Sequence, residues 1–228
     1  MRVVAVIPVK SISERVKSKN FREFFASESL FDILINKLRN SNEIDDIYIS
    51  SNALDVKDRV EKLGCKFIQR EDEFCNNNIP WSDVIAHIAG SIPEDDNTAI
   101  AWCHTTSPLF DEYDEAIRSF RASTKDGKFD GLVTVSELAE FIVSENRQPI
   151  NYSWGPWHRY SQHLDTMYTI TGALFIAPKI EMVRNRYVIS KNPVFYIVPP
   201  LQAIDVDTIY DFKLAQLLMK NKRSLSDA

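Results

Sequence analysis

The apolar stretch VVAVIPV, from Val3 to Val9, contains no polar side chain, and all of its residues except Ala5 and Pro8 are β-branched. A strand with one face in water alternates apolar and polar residues, whereas a parallel strand covered on both faces is apolar throughout. The stretch therefore predicts a buried parallel strand in a sheet that carries helices on both sides.

Strand-like and helix-like segments alternate between this stretch and about residue 138. Helical patterns cover 27–40, 54–64, 82–92 and 111–123, and strand patterns cover 46–50, 66–70, 98–104 and 131–138. Such alternation predicts an α/β fold with a mostly parallel sheet and helices on both faces. Because ligands of these sheets bind at the carboxyl ends of the strands, the segment after Val9 lies at the expected binding edge.

The segment at about 136–167 interrupts this alternation. It includes RQPINYSWGPWHRYSQH (147–163), which is rich in aromatic and polar residues and has no clean period. We expect one domain over residues 1–228 with an inserted arm here, and the aromatic residues favour a homodimer contact over a sugar-binding platform. Strand patterns at 168–176 and 194–198 and helical patterns at 178–184 and 207–222 follow.

Composition argues against several classes of protein. The formal net charge is −5, so no domain-wide basic surface is available to bind nucleic acid or an anionic membrane. The three cysteines, Cys65, Cys75 and Cys103, lack CxxC spacing, which argues against a disulfide framework or a zinc site and favours the cytoplasm. The sequence contains no run of 18 apolar residues, so it predicts no membrane span.

The segment PVKSISERVKSKN, from Pro8 to Asn20, is cationic in an acidic chain. Its four cations are Lys10, Arg15, Lys17 and Lys19. Phosphate-binding loops usually contain glycines, but the first glycine of the chain is Gly64, which excludes a Walker loop and a GxGxxG fingerprint. Two interpretations remain: a solvated surface loop, or a grip in which cationic side chains hold a polyphosphate. The position of the segment at the binding edge favours the grip.

The segment AIDVDT, from Ala203 to Thr208, precedes the last helical pattern. In an extended chain Asp205 and Asp207 lie on one side while Ile204 and Val206 pack inward. Two such carboxylates suit Mg²⁺, which takes one or two protein carboxylates and leaves its other positions for water and phosphates. The alternative is that Asp207 caps the helix, which leaves Asp205 unexplained.

Two further segments carry polar or small residues at the ends of strands. In WCHTTSPLF (102–110), the pair Ser107-Pro108 is by itself typical of a turn. In TITGALFI (169–176), Gly172 inside a strand pattern indicates a bulge or the close approach of a ligand. The four histidines form no convincing metal-binding set.

Together these segments resemble the acylneuraminate cytidylyltransferase family, the CMP–sialic acid synthetases and their relatives. The family pattern I-P-A-R-x-x-S-K-x-x-x-x-K-N is matched by Ile7-Pro8-Val9-Lys10, Ser13, Arg15 and Lys19-Asn20. Its Q-P-T-S-P-L, N-G-A-[IL]-[YF]-I and I-D-[IV]-D-T patterns are matched at 104–109, 171–176 and 204–208. Four motifs in the same order over nearly the whole chain are far more specific than one.

The resemblance implies a Rossmann-like fold of the nucleotide-diphospho-sugar transferase type, a dimer formed through the inserted arm, and an enzyme that joins CTP and an acidic sugar into a CMP-sugar. It implies Mg²⁺ on Asp205 and Asp207 and catalytic roles for Lys10, Lys19 and Asp207. The residues expected to bind the nucleotide are Lys10, Ser11, Arg15, Lys19, Asn20, Ser82, Thr106 and Ser107. Those expected to bind the acceptor are His104, Thr171 and Gly172.

The chain departs from the family pattern at several positions. Lys10 stands where the family usually has arginine, and His104, Phe110 and Thr171 differ where the family recognises its acceptor. The acceptor is therefore left open among a nonulosonic acid, an eight-carbon acid such as KDO, and another acid. Two other functions stay open: a glycosyltransferase with a DxD metal site, and a homologue that binds CTP without catalysis.

Overall fold

The computed structural model describes residues 1–10, 16–76 and 78–225, so the expectations for Ser11 and Arg15 lie outside the described residues. The strands are β1 (Val3–Pro8), β2 (Glu23–Phe25), β3 (Glu28–Ser29), β4 (Asp46–Ser51), β5 (Lys66–Gln69), β6 (Ala99–Cys103), β7 (Gly131–Leu138), β8 (Met167–Pro178) and β9 (Pro193–Ile197). The helices are α1 (Leu30–Arg39), α2 (Lys57–Lys62), α3 (Trp81–Ser91), α4 (Tyr113–Ser123), α5 (Lys179–Asn185) and α6 (Ile209–Leu225).

Seven of these strands form one sheet in the order β5-β4-β1-β6-β8-β7-β9, and β2 pairs with β3 in a separate hairpin. Strand β8 is antiparallel to both of its neighbours, whereas β1 is parallel to β4 and β6, β4 to β5, and β7 to β9. The predicted α/β fold with a mostly parallel sheet is therefore confirmed.

Strand β1 separates two hydrophobic cores, because alternate side chains of a strand point to opposite faces of the sheet. Ala5 and Ile7 lie in one core with side chains of α1 and α4, and Val4 and Val6 lie in the other with side chains of α3 and α5. Residues 3–7 are fully buried, which is the burial that the apolar stretch predicts.

A third hydrophobic core connects the cationic segment and the hairpin after it to the last helix. Its buried members are Val16, Phe24, Leu30, Ile33, Val206, Phe212 and Ala215. The rings of Phe24 and Phe212 meet edge to face at 5.0 Å, and Gln216 Nε2 donates a hydrogen bond of 2.6 Å to the Phe24 carbonyl. Packing of these apolar side chains holds two parts of the chain together that are remote in sequence.

Two helical patterns differ from the observed elements. The pattern at 27–40 becomes strand β3 followed by α1, because Ser29 caps the helix: its hydroxyl accepts from the Asp32 N–H at 3.2 Å, and Asp32 accepts from the Ser29 N–H at 2.9 Å. The pattern at 54–64 becomes a 3₁₀ turn, Leu54–Val56, followed by α2. Gly64 follows α2 with a φ of 74°, as expected of a residue that ends a helix.

Strands β7 and β8 are joined by residues 139–166, which contain two 3₁₀ turns, Gly155–Trp157 and Ser161–His163. Trp157 and Tyr160 are each 76% exposed. The assignment of this segment as a dimerisation arm stays a prediction. Within the described residues, no helix has both the length and the apolar character needed to cross a membrane.

Candidate functional site

A cavity of about 640 Å³ opens at the carboxyl ends of β1, β5 and β6 and beside the start of α3. Parallel α/β sheets bind ligands at this edge. The residues that line it are Pro8, Lys10, Lys19, Asn20, Arg70, Phe74, Cys75, Asn76, Ile79, Pro80, Trp81, Val84, His104, Thr105 and Thr106. Five of the residues predicted from the sequence are thus brought together: Lys10, Lys19, Asn20, His104 and Thr106.

Lys19 is held between the cavity and the segment that carries the two aspartates. Its Nζ donates a hydrogen bond of 2.6 Å to the Val206 carbonyl and lies 3.5 Å from Asp207 Oδ1. The lysine side chain is only 12% exposed, so few water molecules can solvate its charge. A partly buried cation of this kind favours an anionic ligand.

Asn20 fixes the end of the cationic segment. Its side-chain Oδ1 accepts a hydrogen bond of 2.8 Å from the Thr105 hydroxyl, and its backbone carbonyl accepts from the Phe31 N–H at 3.0 Å. Asn20 therefore joins the start of α1 to the loop that follows β6, where Thr105 lines the cavity together with Asn20.

The two aspartates flank a buried valine. Val206 is fully buried, and its N–H donates to the Thr106 carbonyl at 2.8 Å, while Asp205 and Asp207 keep their carboxylates open to solvent. The start of α6 is capped by Thr208 and Asp211: the Asp211 N–H donates to Thr208 Oγ1 at 3.2 Å, and the Thr208 N–H donates to Asp211 Oδ2 at 2.7 Å. The alternative that Asp207 caps this helix is therefore wrong.

The electrostatics around Asp205 suit a bound cation. Solvent reaches the carboxylate, but neighbouring protein displaces much of its water, and this desolvation raises its pKa; repulsion from Asp207 and Asp211 raises it further. A hydrogen bond with Thr106 and the charge of Lys19 act in the opposite direction. A cation such as Mg²⁺ would relieve this repulsion, and one or two protein carboxylates suffice to hold it. Among the described residues there is no cluster of three or more potential metal ligands.

His104 is neutral in this site. Desolvation lowers its pKa to about 4, since burial disfavours the imidazolium ion and the charge of Lys19 adds to the effect. Its Nε2 accepts a hydrogen bond of 3.0 Å from the Trp102 indole N–H, and the ring makes a second hydrogen bond with the backbone of Gly172.

Gly172 lies in a β-bulge, as its position in the sequence predicts. Val133 and Val135 of β7 are two residues apart, but their partners on β8, Phe175 and Ile170, are five apart, so extra residues of β8 are left unpaired. Gly172 has a φ of 75°, which an L-residue rarely adopts.

Six of the predicted residues that the structure describes do not line the cavity: Asp205, Asp207 and Gly172, which lie beside residues that do, and Thr171, Ser107 and Ser82. The Thr171 hydroxyl donates a hydrogen bond of 2.8 Å to Thr134 Oγ1 inside the sheet. Ser107 is 3% exposed, and its hydroxyl has no hydrogen-bond partner in the part of the chain that the structure describes. Ser82 lies in the first turn of α3, next to Trp81, which does line the cavity.

Arg70 and Trp81 line the cavity but were not predicted from the sequence. Arg70 is 4% exposed; its Nη2 donates to the Val9 carbonyl at 2.6 Å and its Nε donates to Cys75 Sγ at 3.0 Å. Trp81 is 49% exposed and meets the buried Trp102 edge to face at 6.1 Å. The rule that ligands bind where parallel strands end could have identified Arg70, since it directly follows β5.

Comparison with known proteins places these residues in a family. Residues 4–185 match the family model described as cytidylyltransferase. The match includes three of the four sequence motifs and ends before the two aspartates. A pseudaminic acid cytidylyltransferase of Campylobacter jejuni subsp. jejuni serotype O:2 is 23% identical, over 96% of this chain and 97% of the relative. These matches confirm the family resemblance drawn from the motifs.

Two solved structures have the same fold. A CMP:2-keto-3-deoxy-manno-octonic acid synthetase complexed with CTP superposes with a TM-score of 0.67 at 12% identity, over 97% of this chain and 100% of that chain. A 4-diphosphocytidyl-2C-methyl-D-erythritol synthase superposes with a TM-score of 0.66 at 10% identity, over 96% and 100% of the two chains.

The capping contacts predict that Thr208 and Asp207 differ in their effect on stability. Thr208→Ala removes the helix cap, and we expect it to lower the free energy of unfolding by about 1 kcal/mol. Asp207→Asn removes the charge that pairs with Lys19 at a half-exposed position, and we expect a change below about 0.5 kcal/mol. Chemical denaturation measures both values. Equal destabilisation by the two substitutions would show that Asp207 has a capping role after all.

Proposed function

The chain belongs to the cytidylyltransferase family, and from this premise we propose that it transfers CMP from CTP to a hydroxyl group of an acidic sugar and releases pyrophosphate. The observation that carries the proposal is the position of Lys19, which lines the cavity and contacts the segment of Asp205 and Asp207. Nucleotidyl transfer needs both a cationic grip for the phosphates and carboxylates for a metal ion.

The triphosphate is proposed to bind along the cationic side of the cavity. Lys10, Lys19 and Arg70 line it, in a chain whose formal net charge is −5, so the positive charge is local. Lysine side chains suit phosphate oxygens as mobile point charges, and arginine adds a planar set of donors. Ser11 and Arg15, which belong to the same motif, are proposed to complete the grip.

Asp205 and Asp207 are proposed to hold Mg²⁺. Oxygen ligands are those that this ion prefers, and the mutual repulsion of the two carboxylates supports a cation between them. When bound, Mg²⁺ neutralises phosphate charge and lowers the pKa of a nearby hydroxyl group.

The proposed reaction is an in-line displacement. The acceptor hydroxyl oxygen attacks the α-phosphorus of CTP, a new P–O bond forms, and the bond to the bridging oxygen breaks. Pyrophosphate leaves with the bonding electrons, and the hydroxyl proton passes to solvent. Lys10 and Lys19 stabilise the charge that develops on the leaving group, and the remaining contribution is the alignment of the two substrates.

The acceptor is proposed to bind beside the bulge of β8, near His104, Thr171 and Gly172. Because one relative is a pseudaminic acid cytidylyltransferase, pseudaminic acid is the first acceptor to test. The enzyme is proposed to work in the cytoplasm, where CTP is available.

Pyrophosphate release tests the proposed function directly. The enzyme with Mg²⁺ is incubated with each of the four ribonucleoside triphosphates and with pseudaminic acid, N-acetylneuraminic acid or KDO. We expect pyrophosphate only when CTP and a suitable acid are both present, together with a CMP-sugar of the matching mass. CTP binding without turnover for every acid would instead indicate a non-catalytic homologue, and cleavage of a nucleotide sugar would indicate a glycosyltransferase.

Two lysines of the cationic segment provide a matched pair of variants. Lys19 is largely buried at the cavity, whereas Lys17 is exposed and matches no motif position. We expect Lys19→Met to lower kcat/KM for CTP by about 100-fold or more, since one group that stabilises transition-state charge is lost. Lys17→Met should change it by less than about threefold. Similar losses for both variants would contradict a specific triphosphate grip.

A second copy of the chain is the proposed partner, bound through the arm at 139–166. Trp154, Trp157 and Tyr160 are 52%, 76% and 76% exposed, which is unusual for large aromatic side chains in one short segment. Light scattering on the double variant Trp157→Ser, Tyr160→Ser should give half the mass of the unmodified protein. Leu54→Ser, at an exposed leucine outside the arm, is the control and should leave the mass unchanged. A monomeric unmodified protein would exclude this partner.

A further inference from the structure

His104 lies at the centre of a chain of contacts that runs through the sheet. On one side the Trp102 indole N–H donates to its Nε2 at 3.0 Å, and Trp102 is fully buried in β6. On the other side the ring hydrogen-bonds to the backbone of Gly172 in β8. Because an indole N–H can only donate, Nε2 must be an unprotonated acceptor, and Nδ1 carries the proton that Gly172 accepts.

These two contacts use both ring nitrogens of His104. A neutral imidazole offers one donor and one acceptor, and here each has a protein partner. The ring therefore has no nitrogen left for a hydrogen bond to a substrate, although it lines the cavity. Its further neighbours are Phe175, edge to face at 5.9 Å, and the charges of Lys19 and Asp207.

The partner of His104 is the part of β8 that the strand ladder holds least. Regular pairing with β7 is interrupted around Gly172, and this residue has a φ of 75°. A Cβ atom added at Gly172 would meet only His104 Nδ1, at 3.7 Å, so His104 is the group that packs against this point of the bulge. The hydrogen bond from His104 supplies a constraint that the missing ladder bonds do not.

We propose that His104 is a positioning residue, which fixes the bulge of β8 at Gly172 next to the cavity, and does not itself bind the acceptor. The proposal rests on the proposed function for the identity of the acceptor. It replaces the sequence-based expectation that His104 binds the acceptor, because both of its nitrogens are already engaged.

The contacts specify which side chains can replace His104. Glutamine can accept from Trp102 through its amide oxygen and donate to Gly172 through its amide nitrogen, so His104→Gln keeps both hydrogen bonds. Leucine fills a similar volume but leaves Trp102 and Gly172 without a partner. The two variants separate the hydrogen bonds from the packing of the ring.

The first test is the tautomer of His104, which NMR reads from long-range couplings to the two ring nitrogens in the unmodified protein at pH 7.5. We expect a neutral ring with the proton on Nδ1. A proton on Nε2, or an imidazolium ion, would overturn the proposal. This test needs no turnover, so it remains decisive even if no acceptor supports catalysis and the proposed function fails.

The second test measures separately how substitutions of His104 affect the acceptor and CTP. We expect His104→Leu to raise the acceptor KM about 10- to 100-fold while the Kd for CTP, measured by calorimetry, changes less than about twofold. His104→Gln should keep both values within about threefold of the unmodified enzyme. A loss with glutamine as large as with leucine would mean that the imidazole itself contacts the acceptor, and would overturn the proposal.

Gly172→Ala provides a variant that leaves His104 in place. The backbone at a φ of 75° disfavours alanine, so the bulge should shift and the acceptor KM should rise as in His104→Leu. Because both changes act on one feature, the double variant should be no worse than the more severe single variant. If the fold increases in acceptor KM of the two single variants multiply in the double variant, His104 and Gly172 act separately.

Discussion

The hydrogen bond from Lys19 Nζ to the Val206 carbonyl joins two parts of the chain that are 187 residues apart, and the candidate site depends on it. The third hydrophobic core supports this contact, since Val16 and Phe24 on one side pack with Val206 and Phe212 on the other. Without this core the cationic segment and the aspartates would not lie at the same edge of the sheet. Burial of the apolar side chains thus organises charged groups that would otherwise remain solvated separately.

The cavity is lined by cations although the chain as a whole is acidic. The protein is acidic as a whole, but Lys10, Lys19 and Arg70 line one cavity, and the aspartates lie next to Lys19. His104 stays neutral between the charges of Lys19 and Asp207. A neutral ring there can hold the backbone of β8 without adding a further cation to the triphosphate grip or competing with it for an anion.

The local pattern of the sequence predicts much of the fold, because the apolar residues of β1 and the helical periods depend on near neighbours. The order of strands and the reversed direction of β8 depend on pairing between distant segments, and no local pattern contains that information. The capping interpretation of Asp207 failed for a different reason: Thr208 and Asp211 form the cap, and their T-x-x-D spacing is a sequence signal that could have identified it. Arg70 was missed because it belongs to none of the sequence motifs, although it directly follows a strand at the binding edge.

A double-mutant cycle on CTP affinity tests most directly whether the cationic segment and the aspartates form one site. Calorimetry in the presence of Mg²⁺ gives the Kd for CTP of the unmodified protein, Lys19→Met, Asp207→Asn and the double variant. We predict that the two losses in affinity do not multiply, with a coupling of about 1–3 kcal/mol, as found for groups that share one network. Losses that multiply, so that the coupling is zero, would contradict it.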